Sequence, residues 1–136
     1  MGERRKSRII ALQCLYSISY SNDLKKGIFK KRLAEIAKEN QLKKKSSIFE
    51  FASEILGGLI PKIPAIDKLI EKSSDNWDFE RIAITEKNIL RIAIYEILFT
   101  PTPKAVAINE ALEITKMFCP KKATKFVNGI LNSVCR

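Results

Sequence analysis

The chain contains no histidine, which removes the commonest general base and the commonest metal ligand together. Its three cysteines, Cys14, Cys119 and Cys135, are odd in number and far apart, with no C-x-x-C spacing. That pattern argues against a disulfide framework and fits a reducing cytosol. Only five glycines and five prolines punctuate 136 residues, and there is no internal repeat or low-complexity tract. No run approaches the ~18 consecutive apolar residues of a membrane span. No stretch alternates apolar and polar residues convincingly with the period of a strand.

Enzymatic readings find little to stand on. Glu110 and Glu113 lie at i, i+3, but a carboxylate metal site in a helical bundle wants Glu-x-x-His, and histidine is absent. Gly57-Gly58-x-x-Pro61-Lys62 lacks the G-x-x-x-x-G-K spacing of a phosphate loop. No nucleophile has an evident base beside it, and no cofactor or metal is expected.

What is present is positive charge, unevenly placed. The net charge is +10. Residues 1–45 hold thirteen Lys/Arg against four Asp/Glu, residues 46–96 six against nine, and residues 97–136 six against two. Basic ends suit a polyanion, and the mildly acidic middle suits a basic protein. The densest cluster, Arg4, Arg5, Lys6 and Arg8, runs straight into Ile9-Ile10-Ala11-Leu12. At 100° per residue, Arg4, Arg8 and Arg5 share one arc of about 100°. The expectation is a fixed anion-binding ridge, and cations opposing the helix dipole at its N-terminus are better explained by phosphate than by local stability. A signal peptide fits less well, because Gln13 interrupts the apolar run.

Apolar spacing predicts helices almost throughout. The first covers about residues 4–20, apolar on most sides, with Lys6, Gln13 and Ser17 as a narrow polar strip and Tyr16 and Tyr20 at its border. A second is expected over Lys25–Asn40, with Phe29, Leu33, Ile36 and Ala37 inward. Lys43–Lys45 marks a turn, Ser46 or Ser47 caps a third helix, and Gly57-Gly58 stop it. Pro61 and Pro64 bracket a break before a short helix from Ile66, and Ser73–Asn76 reads as the main connector. Thr85 is expected to cap a helix that ends before Pro101 and Pro103. Helices over about 105–118 and 124–134 complete the chain, the last opened by Lys121, Lys122, Lys125 and Phe126. Spacing alone makes Phe126 core.

Several blocks carry a resemblance. Ile89–Glu96, Ala107-Ile108-Asn109-Glu110-Ala111 and Lys125–Leu131, with Arg4–Arg8, Gln13-x-x-Tyr16, Gly58, Ile66-Asp67, Trp77 and Arg81 in order, resemble the NusB family of transcription antitermination factors. The resemblance covers essentially the whole chain. It implies an all-α fold, a single NusB-like domain over 1–136 of two three-helix-like bundles, with halves of about 1–74 and 77–136. It also implies binding of boxA-type single-stranded leader RNA of ribosomal RNA transcripts together with the NusE small-subunit ribosomal protein. Such a factor is cytoplasmic, works with the RNA polymerase antitermination complex, and is not an enzyme.

On that resemblance Arg4, Arg5, Lys6, Arg8, Gln13, Lys122, Lys125 and Phe126 are expected at the RNA, Phe126 by stacking on a base. Tyr16 and Glu86 are expected on the surface that meets the ribosomal protein. Lys122 departs from the family, in which this position is often acidic. Asn109 and Asn128-Gly129 are family hallmarks that read physically as structural, Gly129 allowing a close helix approach. The rival readings are a protein-interaction module or homodimer of the same fold, and a stand-alone helper for ribosomal RNA modification.

Overall fold

The computed structural model describes residues 1–20, 28–43, 46–74 and 78–135. Their regular structure is entirely helical: α1 (Glu3–Tyr20), α2 (Ile28–Glu39), α3 (Ser47–Leu59), α4 (Ile63–Ser73), α5 (Ile84–Phe99), α6 (Lys104–Phe118) and α7 (Ala123–Val134). Short 3-10 turns occupy Ile60–Lys62 and Phe79–Arg81. The all-α expectation holds. The expected start of the second helix at Lys25, the connector residues Asp75 and Asn76, and Trp77 lie outside the described residues.

The helices form two units, Met1–Pro61 and Lys62–Arg136. In the first, α1 packs on both α2 and α3, which is why it is apolar on most of its circumference. Ala11, Cys14 and Leu15 are completely buried. The Cys14 thiol donates to the Phe29 carbonyl at 3.7 Å, and burial pushes its pKa up to about 12 against the lowering influence of Arg32. Phe29, Leu33, Ile36 and Ala37 point inward as their spacing requires. Ser46 caps α3, its Oγ accepting from the Phe49 N–H at 3.1 Å. Ser47 Oγ donates to Glu3 Oε2 at 2.7 Å, tying the start of α3 to the start of α1.

In the second unit α5 packs on α4, α6 and α7. It buries Ile89, Leu90, Ala93 and Ile94, but also Lys87, Asn88, Arg91 and Glu96. Arg91 is held in a fork by Asp67 of α4, Nε to Oδ1 at 2.8 Å and the second terminal nitrogen to Oδ2 at 2.7 Å. Its other terminal nitrogen donates to Asn88 Oδ1 at 2.9 Å. A paired guanidinium is the form in which a charge tolerates such burial.

Several element boundaries differ from the sequence reading. Gly57-Gly58 do not stop α3: Ile60 remains in the right-handed helical region and its N–H bonds to the Leu56 carbonyl, so the chain tightens into a 3-10 turn instead. Pro64 does not bracket a break but sits in the first turn of α4, where its missing N–H costs nothing. Thr85 lies inside α5, whose N-cap is Ala83. The division between units falls at Pro61 rather than at Ser73–Asn76, because α4 packs with α5 and α7. The second unit is therefore a four-helix cluster rather than a three-helix one. Gly129 does not serve a close approach, since a Cβ there would meet nothing within 4 Å. Asn109, read as structural, is exposed.

Candidate nucleic-acid interface

The N-terminal unit carries the first cationic surface. Arg4 is exposed, and its guanidinium carbon lies 3.9 Å from the centre of the Phe51 ring on α3. Arg8, one turn further along α1, lies 5.5 Å from the same ring and is only 5% exposed. This corrects the expected ridge: Arg8 is not on an open surface. The i, i+4 spacing that aligns Arg4 with Arg8 also turns both toward α3, where an aromatic face attracts guanidinium groups. Arg5 is half-buried, while Lys6 and Gln13 are exposed. Tyr16 is 42% exposed. Ser17, read as part of the open polar strip, accepts from Arg32 Nε at 2.7 Å. Lys43 is exposed, and Lys44 and Lys45 lie outside the described residues.

The C-terminal unit carries a cavity of about 450 Å³ beside the starts of α5 and α7. One wall is Arg81, Ile82, Ala83 and Glu86; the other is Lys122, Ala123, Lys125 and Phe126. The volume falls in the range of small-ligand sites. Arg81, Lys122 and Lys125 are exposed around it, Ile82 and Ala123 are buried, and Glu86 and Phe126 are half-buried. Neither helix has a side-chain cap at this end: the N-cap residues Ala83 and Lys122 make no capping hydrogen bond. The Ala123 N–H at the start of α7 donates instead to the Pro120 carbonyl at 2.9 Å, and both helix dipoles favour an anion at this end.

Among the described residues, Glu86 is the one acid in the walls. Burial raises its pKa above the usual glutamate value, with Lys122 opposing the shift. Burial and then Glu86 push the nearby Cys119 thiol up to about 11. The sequence reading placed Glu86 on a protein-docking surface, but it shares one cavity with Lys122, Lys125 and Phe126. Phe126, which spacing made core, is half-buried, with its side chain on the cavity wall.

Two participants were missed from sequence. Phe51 is one apolar residue among many in α3, and only its position beneath Arg4 and Arg8 distinguishes it. Arg81 entered only as part of a family pattern. The 3-10 turn over Phe79–Arg81, opened by the Asp78 carboxylate accepting from the Glu80 N–H at 3.3 Å, delivers it to the cavity. Among the described residues no group of three or more His, Cys, Asp or Glu is placed to hold a metal ion, and no helix is long and apolar enough to cross a membrane.

An all-helical chain with uncapped helix starts, three exposed cations and an aromatic around one cavity belongs to the class of helical polyanion-binding proteins. Comparison with known proteins makes the class specific. The sequence model of the NusB family matches residues 5–136, and the chain belongs to that family. It is 41% identical over 138 residues to the transcription antitermination protein NusB of Desulfotalea psychrophila, covering 98% of this chain and 96% of that one. Among solved structures, T. maritima NusB superposes with a TM-score of 0.83 at 32% identity, covering 96% of this chain and 89% of that one. A chain in the crystal structure of antitermination factors NusB and NusE in complex with dsRNA matches with a TM-score of 0.82 at 26% identity, over 98% of this chain and 96% of that one.

Proposed function

We infer that the chain is a transcription antitermination factor that binds boxA-type leader RNA of ribosomal RNA transcripts together with the NusE small-subunit ribosomal protein. It works by binding, not by catalysis, in the cytoplasm and as part of the RNA polymerase antitermination complex. The observation that carries the reading is the cavity at the starts of α5 and α7. There Arg81, Lys122 and Lys125 offer charge to phosphate, and Phe126 offers a ring face to a base. Arg4 and Lys6 supply exposed positive charge on the N-terminal unit. Exposed Tyr16 remains the candidate contact for the ribosomal protein. Neither partner needs to bind tightly alone, since each bound partner raises the effective concentration of the other.

The RNA in the solved NusB–NusE complex is double-stranded, which favours a second reading: contact with the backbone of paired RNA alone. The two separate in one titration series. BoxA-like single strands, scrambled strands of equal length and a duplex are titrated at several salt concentrations, with and without the ribosomal protein. Selective single-strand binding that the partner tightens is the expected result. Equal binding of all three RNAs, lost at modest salt, would reduce the protein to a basic helical globule. A light-scattering mass from the same sample separates a monomer from a homodimer.

A further inference from the structure

One corner of the C-terminal unit exposes apolar surface at the other end of α5 from the cavity, about 22 Å along the helix at 1.5 Å per residue. There Leu98, Phe99 and Val106 are each 45% exposed, where α5 ends and α6, packed against it, begins. Apolar residues exposed singly are ordinary; three on one turn, rimmed by charge, mark a surface that another molecule covers. The turn that holds them is stiff. Pro101 and Pro103 fix two of its backbone angles. Thr100 Oγ1 donates to the Glu96 carbonyl at 2.7 Å and accepts from the Thr102 N–H at 3.3 Å. Phe99 stacks on Tyr95 with ring centres 6.1 Å apart. A surface ordered in advance loses little entropy on binding.

The rim says what charge the other molecule carries. Lys62 holds its ammonium 5.0 Å from the centre of the Phe99 ring, and exposed Lys104 opens α6. That helix has no acid in its first turn and no side-chain cap, so its dipole adds to the same positive field. The one acid between Tyr95 and Asn109 is Glu96, which is 2% exposed. A second copy of this chain would bring its own net charge of +10 to that field, which opposes self-association. RNA would answer the lysines but not Leu98 and Val106, which offer a base no ring to stack on.

We propose that this corner docks a short acidic amphipathic segment of another protein, its apolar side chains on Leu98, Phe99 and Val106 and its carboxylates on Lys62 and Lys104. Such a segment lays one apolar face on the surface, and the flanking charges fix its orientation. Lys62 is already ordered over the ring, so it pairs with a carboxylate at a smaller entropy cost than a free lysine. The site is separate from the RNA cavity and does not rest on the RNA-binding reading, and both can be filled at once. A weak contact of this kind gains from any second attachment within the same assembly.

The test selects binders to the full chain from a displayed library of random peptides. Counter-selection uses a chain carrying Phe99→Ser, Lys62→Gln and Lys104→Gln together, checked for folding by thermal unfolding. The enriched peptides are expected to combine Asp or Glu with Leu, Ile or Phe. The strongest, synthesised with a fluorophore, is then titrated by anisotropy. Phe99→Ser is expected to weaken it about 5- to 10-fold, the worth of covering half an aromatic side chain. Lys62→Gln with Lys104→Gln should weaken it about 2- to 10-fold and remove most of its salt dependence. Lys104→Glu puts an acid where the α6 dipole favours one, so it keeps the fold and should still weaken the peptide. An oligouridine strand should bind the Phe99→Ser chain and the parent alike. No enrichment over the variant, enriched peptides without acids, or a peptide that binds every variant equally overturns the proposal. RNA affinity lost with Phe99 assigns the corner to RNA and overturns it as well. So does a light-scattering mass that falls from dimer to monomer in Phe99→Ser, which makes the occupant a second copy.

Discussion

Phe51 makes the clearest case at the scale of single residues. Its ring carries Arg4 at 3.9 Å and Arg8 at 5.5 Å, so one aromatic orders two guanidinium groups that would otherwise bring rotamer entropy to any phosphate they met. Replacing it with leucine keeps apolar volume but removes the π face. Phe51→Leu is expected to weaken RNA binding about 2- to 5-fold, the equivalent of a ~0.5–1 kcal/mol cation–π contact, and Phe51→Trp to restore it. A leucine variant with unchanged affinity would make the ring merely structural. Glu86 gives a second prediction, in stability. Its folded-state pKa is raised by burial, so its contribution favours folding fully below the unfolded-state value and is lost as pH rises through the folded one. Glu86→Gln should therefore be more stable than the parent chain in urea at pH 7, with the difference vanishing near pH 4. A variant less stable at pH 7 contradicts the assigned cause. Neither Phe51 nor the burial of Arg8 was legible in sequence. Arg4 and Arg8 are the same residue type on the same helix face, and only the aromatic more than forty positions away separates an exposed cation from a buried one.

At the scale of elements, the core was legible because apolar spacing survives any tertiary arrangement: Phe29, Leu33, Ile36 and Ala37 follow it, as do Val127, Ile130 and Leu131. Helix ends were less so. Pro64 reads as a breaker but fits a first turn equally well, and Gly57-Gly58 permit a stop without compelling one. The join of α4 to α5 depends on Arg91 and Asp67, whose side chains are 7% and 21% exposed. Truncating one partner leaves the other charge desolvated. Asp67→Ala is thus expected to cost about 3 kcal/mol or more in urea unfolding, while exchanging both residues for apolar ones should cost far less. Gly129 points the other way. It lies mid-helix in α7 with open space where a Cβ would stand, so nothing in the packing needs a glycine. Gly129→Ala should raise stability by up to about 1 kcal/mol. If the same variant also binds RNA or the ribosomal protein less well, the open space is reserved for a ligand; a loss of stability would refute the packing assignment.

For the whole molecule, a net charge of +10 guarantees some attraction to any polyanion, so affinity alone is a poor witness to function. The salt dependence is a better one, because it counts phosphates. On a single strand each neutralised phosphate contributes about −0.7 to the slope of log affinity against log salt. Three or four phosphates neutralised by the first helix alone would give a slope of roughly −2 to −3. The structure redistributes that charge: Arg8 is withdrawn, Arg4 and Lys6 stay exposed in the N-terminal unit, and Arg81, Lys121, Lys122 and Lys125 are exposed in the C-terminal one. Neutralising Lys122 and Lys125 together as glutamines should flatten the slope by about 1.4, and so should neutralising Arg4 and Lys6. If only one pair changes the slope, RNA engages only the unit that carries it. If affinity falls while both slopes stay fixed, these cations act through the fold and not through phosphate.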